Sequence, residues 1–172
     1  AEGSCLIKCG NTHVLCTASV SQEIPAWLKG GNRGWVTAEY SLLPRATQTR
    51  VNRETKGVGG RTAEIQRLIG RSLRAAVDLT EMPEICVQVD CDVLQADGGT
   101  RTASITGGFV ALYLALQKMV KDGALPRNPV REYVAAVSCG ICNGKPLRDL
   151  DDEEEFHVDA DTNFVRTEIR KI

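Results

Sequence analysis

The segment from Ile85 to Gly123 constrains this chain most, because its apolar period changes midway and a glycine pair stands at the change. Ile85, Val87, Val89, Cys91 and Val93 alternate with Cys86, Gln88, Asp90, Asp92 and Leu94, which predicts a strand with two carboxylates on one face. Beyond Gly98-Gly99-Thr100-Arg101, the residues Ile105, Phe109, Leu112, Leu116 and Met119 recur at helical spacing until Lys121-Asp122-Gly123 supplies a stop. A helix N-terminus offers unpaired N–H groups and the positive end of the macrodipole. Gly98 and Gly99 would let the backbone close around an oxyanion while Thr100, Arg101 and Ser104 add donors, and phosphate is the first candidate. The same residues also suit a plain Gly-Gly turn capped by Thr100 with Arg101 in solvent, and the pattern does not choose between the two.

The remaining elements follow the same rules. Segments 4–9 and 13–20 are β-rich and flank Gly10-Asn11, a hairpin signal. Residues 62–79 carry Ile65, Leu68, Ile69, Leu73, Ala76 and Val77 on one helical face, with Pro83 beyond the end. Residues 133–142 and 146–150 flank Asn143-Gly144 as a second hairpin, and 164–169 is a last strand. Strands and helices do not alternate regularly, which points to an α+β domain rather than a doubly wound sheet. No repeat, low-complexity stretch or linker divides the chain, so residues 1–172 are expected to form one domain.

A net charge of −1 gives no general attraction to nucleic acid, so any RNA contact must come from a local basic patch. No membrane partner is expected, and the sequence carries no signal-peptide pattern, which together point to the cytoplasm. The seven cysteines are odd in number and sit in apolar strand patterns such as Ile85-Cys86-Val87, as reduced core thiols do. Cys139-Gly140-Ile141-Cys142 lacks a second pair or a nearby histidine and is not read as a zinc or redox site.

Several motifs occur in one order: Gly34-Trp35-Val36-Thr37-Ala38-Glu39-Tyr40, Leu43-Pro44-Arg45-Ala46-Thr47, Gly60-Arg61-Thr62-Ala63-Glu64-Ile65-Gln66-Arg67, and Asp90 through Gly107. With Ala135-Ala136-Val137-Ser138 and Cys142-Asn143-Gly144 they resemble the ribonuclease PH family over nearly the whole chain. The resemblance implies an α+β fold of the ribosomal protein S5 domain 2 type with a left-handed β-α-β crossover. It also implies a nucleotidyltransferase, a phosphate-dependent 3′-to-5′ exoribonuclease that trims tRNA precursors and other RNA, including rRNA, and releases nucleoside diphosphates. Relative to that family the chain is expected to lack the N-terminal arm and the C-terminal helix.

Phosphorolysis brings two anions together, so cationic groups must hold the phosphate co-substrate and screen the repulsion. Arg61 and Arg101 each follow a glycine and start a predicted helix. The resemblance makes them, with Gly99 and Thr100, the phosphate binders. Magnesium prefers carboxylates, and the resemblance places two in the acidic region after Asp149. Asp161 matches one position. Glu155 falls where the family has its other aspartate, with Asp152 or Asp159 serving instead if the register shifts. Arg45, Arg50 and Arg53 match the family's tRNA-binding segment and suit contacts to the RNA backbone. Trp35 and Tyr40 lie in a β-rich run, where the core is the expected place for aromatic rings rather than a base-stacking surface. The expected assembly is a homohexamer, a trimer of dimers. Two alternatives from other classes are a catalytically weak exosome-type RNA-binding subunit and a magnesium-dependent hydrolytic nuclease.

Overall fold

The computed structural model describes residues 1–142, 145–148 and 166–171. The first sheet has the order β1-β2-β4-β3, with β1 Gly3–Cys9, β2 Thr12–Ser21, β3 Trp35–Leu42 and β4 Cys86–Gln95. β1 and β2 form the expected hairpin, its turn made by Gly10 at a φ of 53°. β2 runs antiparallel to β4, whereas β3 runs parallel to it. A parallel neighbour needs a crossover, and α1, Gly60–Ala76, provides it between β3 and β4. A second sheet has the order β6-β5-β7, with β5 Val134–Cys142, β6 Lys145–Arg148 and β7 Arg166–Lys171. The α+β class and both hairpins are as expected.

Alternation decides which face of the first sheet is core. Val87, Val89, Cys91 and Val93 of β4 are buried, while Gln88, Asp90 and Asp92 lie on the opposite, partly open face. Against the inner face pack α1, mainly over β3, and α2, Thr100–Lys121, mainly over β1 and β2. The far side of α2 meets β5, where Ala136 N–H donates to Thr106 Oγ1 at 3.0 Å. α2 is long and apolar enough to cross a membrane, but it is a mostly buried core helix. It comes close to the sheet because Gly107 has no side chain. A Cβ there would stand 2.8 Å from Ile7 Cγ2 and 2.9 Å from Cys16 Sγ.

One sequence expectation needs adjustment. α1 stops at Ala76, not at residue 79, because the chain after it is claimed by another segment. Val77 is extended and bridges Val130, Asp78 N–H donates to Pro129 O at 2.8 Å, and Arg131 N–H takes the Ala76 carbonyl at 2.8 Å. Asp78 then caps a short 3₁₀ turn, accepting from Thr80 N–H at 3.1 Å. The cysteines behave as core thiols: Cys5, Cys16 and Cys91 stand in register across β1, β2 and β4, and none of the three is in a disulfide. A hydrogen bond with Cys16, and after it burial, holds the Cys91 thiol far above its ordinary range, so it stays protonated.

Candidate functional site

Two glycines make the turn that joins β4 to α2. Gly98 and Gly99 take φ values of 71° and 59°, the left-handed region, and Gly99 is the N-cap without any side-chain cap bond. The N-terminus of α2, with the positive end of the helix dipole, lies at this turn. The alternative in which Thr100 caps the helix does not occur, since Thr100 is the first helical residue. Thr12, buried on β2, pins the turn from behind: its hydroxyl donates to Gly98 O at 2.6 Å and accepts from Asp97 N–H at 2.8 Å. Asn11 Nδ2 adds a bond to Asp97 Oδ2 at 2.9 Å.

Thr100 is nine-tenths buried, and its Oγ1 lies 2.9 Å from the hydroxyl of Tyr40 on β3. Burial raises the Tyr40 phenol above its usual range, opposed by the Thr100 bond and by the positive charges of Arg61 and Arg101. Both guanidinium groups therefore lie near enough to bear electrostatically on one buried hydroxyl, although forty residues separate them in sequence. This convergence is what spacing alone left open. The parallel pairing of β3 with β4 produces it, because α1 and α2 then begin beside each other. Arg61 is the second residue of α1, whose N-cap Gly59 also lacks a side-chain cap, and Arg101 is the second residue of α2. Glu64, one turn into α1, ties the two helices together with Oε2 3.4 Å from Arg101 Nη1, the side chains being 44% and 38% exposed.

One expected phosphate donor has its hydroxyl engaged within the helix. Ser104 is fully buried, and its hydroxyl donates to the carbonyl of Thr100 at 2.7 Å, so its only proton is spent inside the helix. Thr102 likewise donates to Gly99 O at 2.7 Å.

The arginine segment runs along the rim of this site. Ala96 N–H bonds to Ala46 O at 2.8 Å and Leu43 N–H to Val93 O at 3.1 Å, which sets Arg45 beside the Asp97 turn across a cavity of about 350 Å³. Arg50 is exposed and donates to Asn52 Oδ1 at 3.0 Å. Arg53 is exposed, and its charge partly offsets the burial and the Asp90 neighbour that raise the Asp92 carboxyl. From the same segment Glu54 accepts a bond from Thr62 Oγ1 at 3.0 Å at the start of α1. Tyr40 is core as expected. Trp35 is covered by Arg74, whose guanidinium lies 4.4 Å from the ring centre, so neither ring presents a free stacking face.

The two candidate metal ligands, Asp161 and Glu155, and the alternatives Asp152 and Asp159 lie outside the described residues. Among the described residues no group of three His, Cys, Asp or Glu side chains converges on a metal. Thr12, Tyr40 and Glu64 were absent from the sequence-derived site. Period-two alternation with Val36 and Ala38 marks Tyr40 as inward, but nothing local ties it to Thr100.

An α+β domain that sets Arg61 and Arg101 at the heads of two neighbouring helices, with further exposed arginines in the segment after β3, has the equipment of an RNA-directed phosphate enzyme. Residues 1–116 match the family model described as 3′ exoribonuclease family, domain 1. The chain is 58% identical to ribonuclease PH of Neisseria meningitidis serogroup C over 173 residues, 99% of this chain and 72% of that protein. It is 57% identical to ribonuclease PH of Rhodospirillum rubrum over 169 residues, 97% of this chain and 70% of that protein. Among solved structures it is similar to a chain of the Archaeoglobus fulgidus exosome with RNA bound to the active site, with a TM-score of 0.71 and 26% identity, covering 100% of this chain and 72% of that one. The chain belongs to the ribonuclease PH family, phosphorolytic 3′-to-5′ exoribonucleases of the nucleotidyltransferase type.

Proposed function

We propose that this chain trims tRNA precursors and other 3′-extended RNA, rRNA included, by phosphorolysis at the point where α1 and α2 begin. The Arg101–Glu64 pair that joins the heads of α1 and α2, beside the buried Tyr40–Thr100 hydroxyl pair, carries this reading. An oxygen of inorganic phosphate attacks the last phosphodiester phosphorus. The new P–O bond forms as the bond to the 3′ oxygen breaks, so the terminal nucleotide leaves as a diphosphate and the shortened RNA takes up a proton at its new 3′ end. Backbone N–H groups at the head of α2 hold the attacking phosphate, while the two guanidinium groups offset the repulsion between the anions. Arg45, Arg50 and Arg53 grip the RNA backbone without reading its sequence.

Magnesium is the proposed metal, held by Asp161 and Glu155, whose hard oxygen ligands suit it. When bound it stabilises charge on the leaving 3′ oxygen. The likeness to an exosome chain supports a ring assembly, proposed here as a homohexamer of three dimers, and the free thiols support a cytoplasmic setting. A tRNA precursor with a 3′ extension, incubated with magnesium with and without phosphate, tests the reading. Nucleoside diphosphates that appear only with phosphate are the expected result. Phosphate-independent monophosphates would make the protein a hydrolase, and RNA binding without products would make it a catalytically weak subunit. Light scattering on the full-length protein checks the hexamer, which a monomer there would refute.

A further inference from the structure

Three hydroxyls stand in the first five residues of α2, and two of them are committed to helix carbonyls: Thr102 to Gly99 O and Ser104 to Thr100 O. Only Thr100 is tied to another side chain, the Tyr40 hydroxyl at 2.9 Å. A proton count of that pair is informative. Each hydroxyl carries one proton, and the bond between them uses one of the two. Among the described residues no acceptor takes the other. Tyr40 is 2% exposed and lies on the core side, whereas Thr100 opens the helix at the surface turn. The direction that lets the spare proton leave the core is therefore Tyr40 O–H to Thr100 Oγ1, with the Thr100 proton pointing out. What waits outside is set by charge, since Arg61 and Arg101 both act on this spot and a second cation or a bare donor would be repelled there. An acceptor-rich anion fits.

We propose that Tyr40 is a positioning residue for the phosphate co-substrate: by donating to Thr100 Oγ1 it fixes the threonine rotamer so that the Thr100 proton is given to a phosphate oxygen. The proposal rests on the reading that phosphate binds at the head of α2. A hydroxyl that accepts one hydrogen bond is polarised into a stronger donor for the next, so Tyr40 also strengthens the contact it directs. The buried phenol stays protonated because desolvation opposes its ionisation, which keeps the relay supplied. Burial of the ring explains why a tyrosine is used: the aromatic body fills the core between β3 and α2 while its polar tip reaches the turn.

Tyr40→Phe keeps the ring and removes only the hydroxyl. The expected result is a phosphate KM raised about five- to tenfold, with kcat, the RNA KM and the melting temperature close to wild type. A merely structural role would move stability or all kinetic constants together. The sharper reading is the cycle with Thr100→Val: if Tyr40 acts through Thr100, the effect of Tyr40→Phe on the phosphate KM disappears in the Thr100→Val background. Additive effects, or an unchanged phosphate KM in Tyr40→Phe, would overturn the proposal. Should Tyr40→Phe fail to fold, Thr100→Val against Thr100→Ser reads the same donor, and equal phosphate KM values in those two would overturn it as well. Arg101→Ala separates the two levels of argument. If it too leaves phosphate saturation untouched, the site itself is misplaced. If only Tyr40→Phe is silent, the site stands and the relay falls.

Discussion

Replacing Arg101 by alanine separates the catalytic from the structural worth of one side chain, because the structure makes the second small. Arg101 is 38% exposed, and its one ion pair within the described residues is with Glu64 at 3.4 Å, itself 44% exposed. A solvent-screened pair of this kind contributes only about 0.5 kcal/mol, so the melting temperature should fall by roughly 1–2 °C. On the proposed function the same guanidinium would make charge-assisted contacts to the phosphate at the positive end of α2. Losing those should cost about 2–4 kcal/mol in the transition state, or about thirty- to a thousandfold in kcat/KM for phosphate. The difference between those two costs makes the result interpretable: an inactive but stable protein. Glu64→Gln supplies the opposite arm. Its carboxylate competes with phosphate for Arg101, so neutralising it should lower the phosphate KM by about twofold while the fold is kept. The assay is phosphorolysis of a 3′-extended RNA at varied phosphate, with diphosphate release as the readout. An Arg101→Ala protein within about threefold of wild type in kcat/KM for phosphate would refute the reasoning, because no single strong contact to the reacting anion is worth so little.

Neutralising Arg45, Arg50 and Arg53 together should weaken RNA binding and reduce its salt dependence by about one counterion per lost contact, leaving the phosphate KM alone; an unaltered salt slope would place the RNA elsewhere. Thr12→Val preserves shape but strands the Gly98 carbonyl and the Asp97 N–H behind the turn, so stability should drop by about 1–3 kcal/mol and the phosphate KM should rise, which thermal melts and phosphate titration check together. Asp161→Asn should abolish magnesium-dependent phosphorolysis with RNA binding intact. Glu155→Asp should keep or raise activity if Glu155 holds the metal, whereas a silent Glu155→Ala with a damaging Asp152→Asn or Asp159→Asn would mark a shifted register.

Local periodicity determined most of the elements. The alternation through β4, the helical spacing through α2 and the glycine pair between them are properties of neighbouring residues, and neighbours are what a sequence displays. The glycine turn at the head of α2 was legible for the same reason, as was Tyr40 as an inward residue. Ser104 shows where local reading could have gone further: a serine inside a helix commonly donates to the carbonyl four residues back, and here it does. Other features were settled only when distant segments met. α1 ends at Ala76 because Val130 and Arg131 compete for its last groups, a contest no window around residue 77 contains. The heads of α1 and α2 lie side by side, with Glu64 paired to Arg101, because β3 and β4 pair in parallel, which starts both following helices at the same end of the sheet. Tyr40 reaches Thr100 across sixty residues for that reason as well. Strand pairing carries no local signature, since its hydrogen bonds join backbone groups common to every residue, so the tertiary structure alone decided which of the legible pieces would act together.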